Sequence, residues 1–191
     1  MPKSSKQWLR RHVTDAYVRK ARQQGYRSRA AFKLLEVDEK EKLIRPGMTV
    51  IDLGAAPGGW SQVAAQKGAR VIAVDLLDIL PIPGVTVMKG DFREIALEGK
   101  ADLVLSDLSP NLSGIRNVDQ ARGLELALAA VGTCRKLLKL DGAFVTKAFQ
   151  GEAFEAMAAA LAAAFEKVKV FKPAASRGES RETYFVCRAL K

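Results

Sequence analysis

Short, continuous apolar runs alternate with segments of helical periodicity along most of this chain, and that alternation constrains its fold most. Runs that are apolar throughout, rather than at every second residue, are typical of strands covered by helices on both faces. We therefore predict an α/β fold with a doubly wound, mostly parallel sheet and right-handed crossover connections. Strands are expected at residues 49–54, 69–77, 85–92, 101–107 and 142–149.

Two further strands, at residues 167–173 and 182–190, follow with only a short basic loop between them. Because no helix separates them, they should pair as a hairpin, which makes the last of the seven strands antiparallel. Helices are expected at residues 14–24, 28–40, 58–68, 93–98, 118–139 and 151–168.

The 191 residues suffice for one domain, which we expect to span the whole chain. Its first part, about residues 1–45, should form a basic helical extension. Thr14 or Asp15 is expected to cap the first helix, and Ser28 the second.

A glycine-rich turn, GAAPGG, follows the first strand, where folds of this type bind nucleotide-like cofactors. Dinucleotide-binding turns need a glycine at the position of Ala56, and they hold pyrophosphate with backbone N–H groups, which Pro57 lacks. An adenosine cofactor without phosphate fits better, which favours S-adenosylmethionine. Close backbone approach remains possible at three glycines, Gly54, Gly58 and Gly59.

Acidic residues follow the next two strands on the same edge of the predicted sheet. Asp75 lies about twenty residues after the turn, where a carboxylate accepts hydrogen bonds from ribose hydroxyls. Asp91 is placed to bind an adenine amino group, and Phe92 to pack near the base. Taken singly, Asp75 is better explained as a helix cap and Asp91 as a turn residue. Their succession at strand ends favours cofactor binding.

Four further polar residues are candidates to converge over the reactive end of the cofactor. Asp107 and Lys147 end the fourth and fifth strands, and a lysine that ends a buried strand is hard to explain structurally. Glu182 begins the antiparallel strand and so lies on the same edge, while Lys33 lies on the second helix. From the pattern alone, Lys33 is equally a surface residue, and Glu182 is equally the partner of a neighbouring arginine.

Seven segments together resemble the motifs of the FtsJ/RrmJ family of ribose 2′-O-methyltransferases: RSRAAFKL, DLGAAPGGWSQ, DLLDI, GDFR, SDLSPN, KAFQGE and SRETY. The resemblance covers about residues 7–190 and implies a Rossmann-like fold that binds S-adenosylmethionine. It implies a catalytic tetrad at Lys33, Asp107, Lys147 and Glu182. It also implies cofactor contacts at Gly58, Trp60, Asp75, Asp91 and Asp107. From the pattern alone, Trp60 is equally an aromatic residue that packs at a helix start.

Bacterial members of this family methylate a uridine of large-subunit (23S) ribosomal RNA, so the resemblance implies that activity here. The assembled large subunit is the expected substrate, with transfer RNA as the alternative. Lys147 is the candidate general base. The sequence leaves open whether it removes the proton as a neutral amine or, as an ammonium, stabilises the developing alkoxide.

The formal charge of +10 is concentrated at the two ends of the chain. Residues 1–33 carry +9, residues 34–166 carry −4 and residues 167–191 carry +5. Such clustering predicts a surface that binds the phosphates of ribosomal RNA, although a solvated basic face is the alternative. The candidate phosphate-binding residues are Arg10, Arg11, Arg19, Lys20, Arg22, Arg27, Arg29, Arg177 and Arg181.

Other functions fit the sequence less well. A base-amino methyltransferase needs an aromatic residue that DLSPN lacks, and a nicotinamide dehydrogenase needs the glycine that Ala56 replaces. A cytosine C5 enzyme needs a nucleophilic cysteine, whereas Cys134 and Cys187 fall within a predicted helix and strand. A non-catalytic RNA-binding factor is the alternative from another class, and the complete tetrad argues against it.

The two cysteines have no metal-type or redox-type spacing, so we expect buried thiols in a reducing cytoplasm and no metal site. No apolar run approaches the ~20 residues needed to cross a bilayer, so no membrane association is expected. We expect a monomer.

Overall fold

The computed structural model describes residues 15–96, 99–110, 113–176 and 181–191. Its strands belong to one seven-stranded sheet. In chain order they are β1 (Thr49–Leu53), β2 (Arg70–Asp75), β3 (Val85–Lys89), β4 (Ala101–Ser106), β5 (Leu138–Phe149), β6 (Phe165–Phe171) and β7 (Glu182–Leu190). The helices are α1 (Ala16–Gln23), α2 (Ala30–Glu41), α3 (Gly59–Gln66), α4 (Arg116–Leu137) and α5 (Glu152–Ala164).

The strand order is β3-β2-β1-β4-β5-β7-β6. The first five strands are mutually parallel, and β7 lies antiparallel between β5 and β6. This order confirms the predicted doubly wound sheet and its antiparallel last strand. In such a sheet the carboxyl ends of the parallel strands and the start of β7 share one edge.

Helices cover both faces of the sheet, as the continuous apolar runs predicted. On one face α2 and α3 pack Leu34 and Trp60 against inward-facing strand residues such as Val145. On the other face α4 and α5 pack Cys134 and Leu161 against residues such as Phe144. Both cysteines are buried and free, as expected. None of the helices in the described ranges is long and apolar enough to cross a membrane.

Three local predictions are wrong at element boundaries. Residues 92–94 form a turn rather than the start of a helix, and residues 97 and 98 lie outside the described ranges. The helix predicted to residue 168 ends at Ala164 because Phe165 already pairs with Leu190 in the β6–β7 ladder. The long helix ends two residues early, since Leu138 pairs with Ala101.

One of the two helix-capping predictions is confirmed and the other is wrong. Asp15 caps α1 by accepting a hydrogen bond from the Tyr17 amide at 3.0 Å. Ser28 does not cap α2, whose N-cap is Arg29. The Ser28 hydroxyl is buried without a hydrogen-bond partner in the described part of the chain, because it faces Gly59 rather than the start of its own helix.

Candidate active site

Sheet register brings three of the four predicted tetrad residues to one edge. Asp107 directly follows β4, whose last residue pairs with Thr146, so it lies beside Lys147 at the end of β5. Glu182 begins β7 and pairs with Phe149 in the antiparallel ladder. Neighbouring strands therefore present the three side chains together. Lys33 reaches them from α2, where its side chain is buried.

The four residues form two ion pairs. The Lys33 ammonium lies 2.5 Å from a Glu182 carboxylate oxygen, with both side chains largely buried. The Lys147 ammonium lies 3.1 Å from the Asp107 carboxylate and donates to the Asp107 carbonyl at 2.9 Å. The structure thus brings together the four residues that the sequence nominated.

A fifth residue, Tyr184, joins the two pairs and was not nominated from the sequence. Its hydroxyl lies 2.8 Å from Glu182 and 3.1 Å from Asp107, and its ring is fully buried. Burial and the two adjacent carboxylates raise the pKa of Tyr184 well above its usual value. The hydroxyl therefore stays protonated, and its single proton serves one carboxylate at a time. The available signal was strand periodicity, because Tyr184 follows Glu182 by two residues and shares its face.

Glu182 is held in its charged form. Burial by itself would favour the neutral acid, but the ammonium of Lys33 and the Tyr184 hydroxyl lower the pKa of Glu182 below its usual value. The carboxylate is therefore available near neutral pH to orient Lys33 and to accept a hydrogen bond.

Replacing Tyr184 with phenylalanine should lower the free energy of unfolding by about 1.5–3 kcal/mol, the usual contribution of a hydrogen bond to a charged group. Urea denaturation measures the change. Tyr26→Phe is the matched control, because the Tyr26 hydroxyl makes no hydrogen bond in the described part of the chain. Equal stability of the two variants would show that the Tyr184 bridge contributes nothing.

A cavity of about 500 Å³ opens beside this tetrad, a volume typical of small-molecule sites. Its lining includes five of the eight residues predicted to bind a cofactor, namely Gly54, Asp75, Asp91, Phe92 and Asp107. Three carboxylates, and Arg93 in an ion pair with Asp91, thus line one concave site with apolar walls. That lining suits a ligand with an apolar ring system and positive charge, and it disfavours phosphate.

The other three residues, Gly58, Gly59 and Trp60, are not part of the lining. A Cβ on Gly58 would lie 2.5 Å from Ile82, and one on Gly59 would overlap the Ser28 hydroxyl. Trp60 is buried, donates its indole N–H to the Ala30 carbonyl at 2.8 Å and packs on Tyr184. In this structure Gly59 and Trp60 let α3 pack against α2 and the sheet, and Gly58 allows the close approach of Ile82.

The two predicted cofactor acids already accept hydrogen bonds from the protein. Asp75 accepts from the amides of Ala56 at 2.9 Å and Leu77 at 2.8 Å, so it orders the glycine turn rather than capping a helix. Asp91 accepts from the amide and guanidinium of Arg93, which lower the pKa of Asp91 below its usual value. Each carboxylate oxygen has a second lone pair, so both residues can still bind a ligand.

One buried acid behind the glycine turn has an unusual environment. Asp52 is fully buried and accepts a hydrogen bond from the Ser61 hydroxyl at 2.6 Å, while its other carboxylate oxygen has no partner among the described residues. Burial, together with the negative charges of Asp107 and Asp75, raises the pKa of Asp52 to about 7, although the Ser61 hydrogen bond opposes the rise.

The predicted phosphate-binding residues differ in their exposure and in their contacts with the rest of the protein. Arg19, Lys20, Arg22 and Arg181 are exposed, whereas Arg10, Arg11 and Arg177 lie outside the described residues. Arg27 instead donates to the carbonyls of Leu80 and Pro81, both at 2.6 Å. Arg29 pairs with Asp15 and donates to the Ala175 carbonyl. Arg27 and Arg29 therefore tie loops together, a role that the charge pattern did not indicate.

Residues 26–190 match the model of the FtsJ-like methyltransferases, and this match covers most of the chain. The chain belongs to the FtsJ-like methyltransferase family. The sheet order is accordingly that of a methyltransferase. The resemblance inferred from the seven sequence motifs is confirmed.

The sequences of similar proteins align with almost the whole length of this FtsJ-like methyltransferase. "Ribosomal RNA large subunit methyltransferase E" of Alcanivorax borkumensis is 51% identical over 99% of this chain and 97% of its own. The protein of the same name from Nitrosospira multiformis is 48% identical over 96% and 95%.

Two solved structures are also similar. A Plasmodium falciparum protein, provisionally described as a ribosomal RNA methyltransferase, has a TM-score of 0.77 and 27% identity, over 86% of this chain and 98% of that one. The 1,6-didemethyltoxoflavin-N1-methyltransferase of Burkholderia thailandensis, solved with 1,6-didemethyltoxoflavin and S-adenosylhomocysteine bound, has a TM-score of 0.57 and 21% identity, over 94% of this chain and 80% of that one. The second likeness concerns the fold alone.

Proposed function

We propose that this protein transfers a methyl group from S-adenosylmethionine to the ribose 2′-hydroxyl of a uridine in large-subunit ribosomal RNA. The observation that carries the proposal is the buried pair of ion pairs, joined by Tyr184, at the rim of an acid-lined cavity. Two lysines and two carboxylates around one position suit a hydroxyl acceptor, which must be oriented and must lose a proton.

The cavity residues fit the proposed cofactor. S-adenosylmethionine supplies a methyl group already activated by a sulfonium. Asp75 would bind the ribose hydroxyls of the cofactor, and Asp91 and Phe92 would contact the adenine. Asp107 lines the cavity and also pairs with Lys147, so it connects the cofactor site to the acceptor site. The positive charges of the cofactor complement the three carboxylates.

The tetrad residues have different proposed roles in binding and activating the acceptor ribose. The Lys147 ammonium donates to the Asp107 carbonyl and pairs with the Asp107 carboxylate, so at least one of its three N–H donors remains to bind the ribose oxygen. From that position Lys147 stabilises the alkoxide as an ammonium or accepts the proton as a neutral amine. Lys33 and Glu182 hold the ribose beside it, and Tyr184 fixes the spacing of the two carboxylates.

Names of the similar proteins support the substrate, since they refer to the large ribosomal subunit. The assembled subunit is the proposed substrate, because folded ribosomal RNA within it can present the nucleotide in a fixed position. We place the reaction in the cytoplasm and expect the enzyme to act as a monomer, which light scattering would measure.

The direct test uses labelled S-adenosylmethionine with three acceptors: large ribosomal subunits, deproteinised ribosomal RNA and transfer RNA. Label should enter the subunits and map to a uridine 2′-oxygen. Label in transfer RNA alone would redirect the substrate assignment, and label on a base would overturn the tetrad's proposed role. No transfer to any RNA would overturn the enzymatic proposal.

RNA binding should weaken steeply as salt rises, because phosphate contacts release counterions. Replacing Arg19 and Arg22 with alanine should lower the slope of log affinity against log salt by about one per lost contact. Arg135→Ala is the control, since this exposed arginine lies near the carboxyl end of α4, at the opposite edge of the sheet. A slope equal to that of the control would exclude α1 from the RNA surface.

A further inference from the structure

An aromatic ring beside the tetrad has no part in the chemistry described so far. Phe149 is the last residue of β5, and 39% of its surface is exposed. The Lys147 ammonium lies 5.8 Å from the centre of the ring. The two residues are two apart on one strand, so both side chains project to the same side. A large apolar ring thus faces solvent next to the group assigned to the ribose oxygen.

Core packing does not account for this exposure. The crevice between the end of β5 and helices α4 and α5 borders Phe149 but holds only about 30 Å³. That volume has room for about one water molecule and not for an aromatic ring. A planar ligand can therefore meet Phe149 only on its exposed surface, where stacking needs no rearrangement of the core.

The residues around Phe149 match the three parts of a nucleotide. Lys147 is placed to contact a ribose hydroxyl. Arg181 is exposed and lies near Phe149, because the amide of the next residue, Gln150, donates a hydrogen bond to the Arg181 carbonyl at 2.9 Å. Arginine binds phosphate, and an aromatic ring offers a surface for any base. A base, a sugar and a phosphate thus each have a suitable neighbour within one stretch of the β5–β7 ladder.

We propose that the exposed face of Phe149 stacks on the nucleobase of the nucleotide whose ribose is methylated. The proposal rests on the proposed function and adds a base-binding subsite to it. Stacking holds the base out of its own RNA stack and so brings the 2′-oxygen to Lys147. Because every base has a planar face, Phe149 supplies affinity rather than selection of uridine.

The test compares steady-state methylation of large ribosomal subunits by wild type and by the Phe149→Ala, Phe149→Leu and Phe149→Tyr variants. Alanine and leucine should each raise the subunit KM on the order of tenfold, and tyrosine should stay near wild type because it keeps the ring. Leu140→Ala is the matched control, an exposed apolar residue near the other end of the same strand.

Three measurements separate stacking from a structural role. Calorimetric affinity for S-adenosylmethionine and the pH profile of kcat should be unchanged in Phe149→Leu, because stacking leaves Lys147 in place. A wild-type KM in Phe149→Leu, or a loss confined to kcat, would overturn the subsite. Thermal unfolding shows whether Phe149→Ala is misfolded, and in that case the comparison uses Phe149→Leu alone. Wild type that methylates no RNA would instead contradict the proposed function itself.

Discussion

Lys147→Ala is expected to lower kcat by roughly a hundredfold to ten-thousandfold, the range for a lost general acid or base. Affinity for S-adenosylmethionine should stay near wild type, because Lys147 does not line the acid-lined cavity. Single-turnover methylation and calorimetry measure the two quantities. Lys139→Ala is the control, since Lys139 lies on the same strand and pairs with Asp102 away from the tetrad.

A second variant distinguishes the two roles left open for Lys147. Lys147→Arg keeps the positive charge but cannot lose a proton near neutral pH. If charge stabilisation is sufficient, the arginine variant should retain clearly more activity than the alanine variant. If Lys147 removes the proton, both variants should be equally inactive. An alanine variant that keeps about a tenth of the wild-type rate or more would exclude both roles.

Asp52→Asn is expected to change the pH dependence of stability more than any other single substitution of a carboxylate outside the tetrad. The pKa of Asp52 is about 7 in the folded protein, whereas the ordinary value for a solvated aspartate, which applies to the unfolded chain, is 3.8. The folded state therefore holds the proton that the unfolded chain has already lost. Wild type loses stability through Asp52 as pH rises from about 4 to about 7, and the loss is complete above that range.

The asparagine variant does not titrate, so its stability relative to wild type should rise between pH 5 and pH 8. The linkage relation gives a rise of roughly 2–3 kcal/mol in the free energy of unfolding. Urea denaturation of the ligand-free protein at the two pH values measures it.

Comparing the two pH values removes any constant effect of the new amide, which lacks an acceptor where the Asp52 oxygen has no partner. Asp141→Asn is the control, because this exposed side chain is solvated in both the folded and the unfolded chain. The same stability difference at pH 5 and pH 8 would show that Asp52 keeps its charge on folding.

Substitutions at this edge of the sheet should therefore affect catalytic activity and folding stability separately. Lys147→Ala removes the group assigned to the acceptor oxygen, whereas Asp52→Asn relieves a buried charge that has no counter-ion among the described residues. If the positive charge of the bound cofactor stabilises the buried Asp52 carboxylate, added S-adenosylmethionine should reduce the gain in stability of Asp52→Asn between pH 5 and pH 8. That measurement would connect the buried acid to the cavity in front of it.

The sequence by itself determined the fold class and the edge at which the site lies. Continuous apolar runs identify strands buried on both faces, and the carboxyl ends of parallel strands must share an edge. Asp107, Lys147 and Glu182 follow from that rule once the last strand is recognised as antiparallel. Lys33 followed from the RSRAAFKL motif, because a helix outside the sheet has no register to place it.

Only the tertiary structure decided which side chains meet across different elements. Tyr184 joins the two ion pairs because β7 lies next to β5, and Arg27 binds two carbonyls of a loop far along the chain. Gly59 and Trp60 pack against α2, and Gly58 packs against Ile82, instead of lining the cavity. Periodicity records which face of an element is buried, but it does not record which residues of another element lie opposite. Contacts between elements therefore become visible only after the strands and helices are packed.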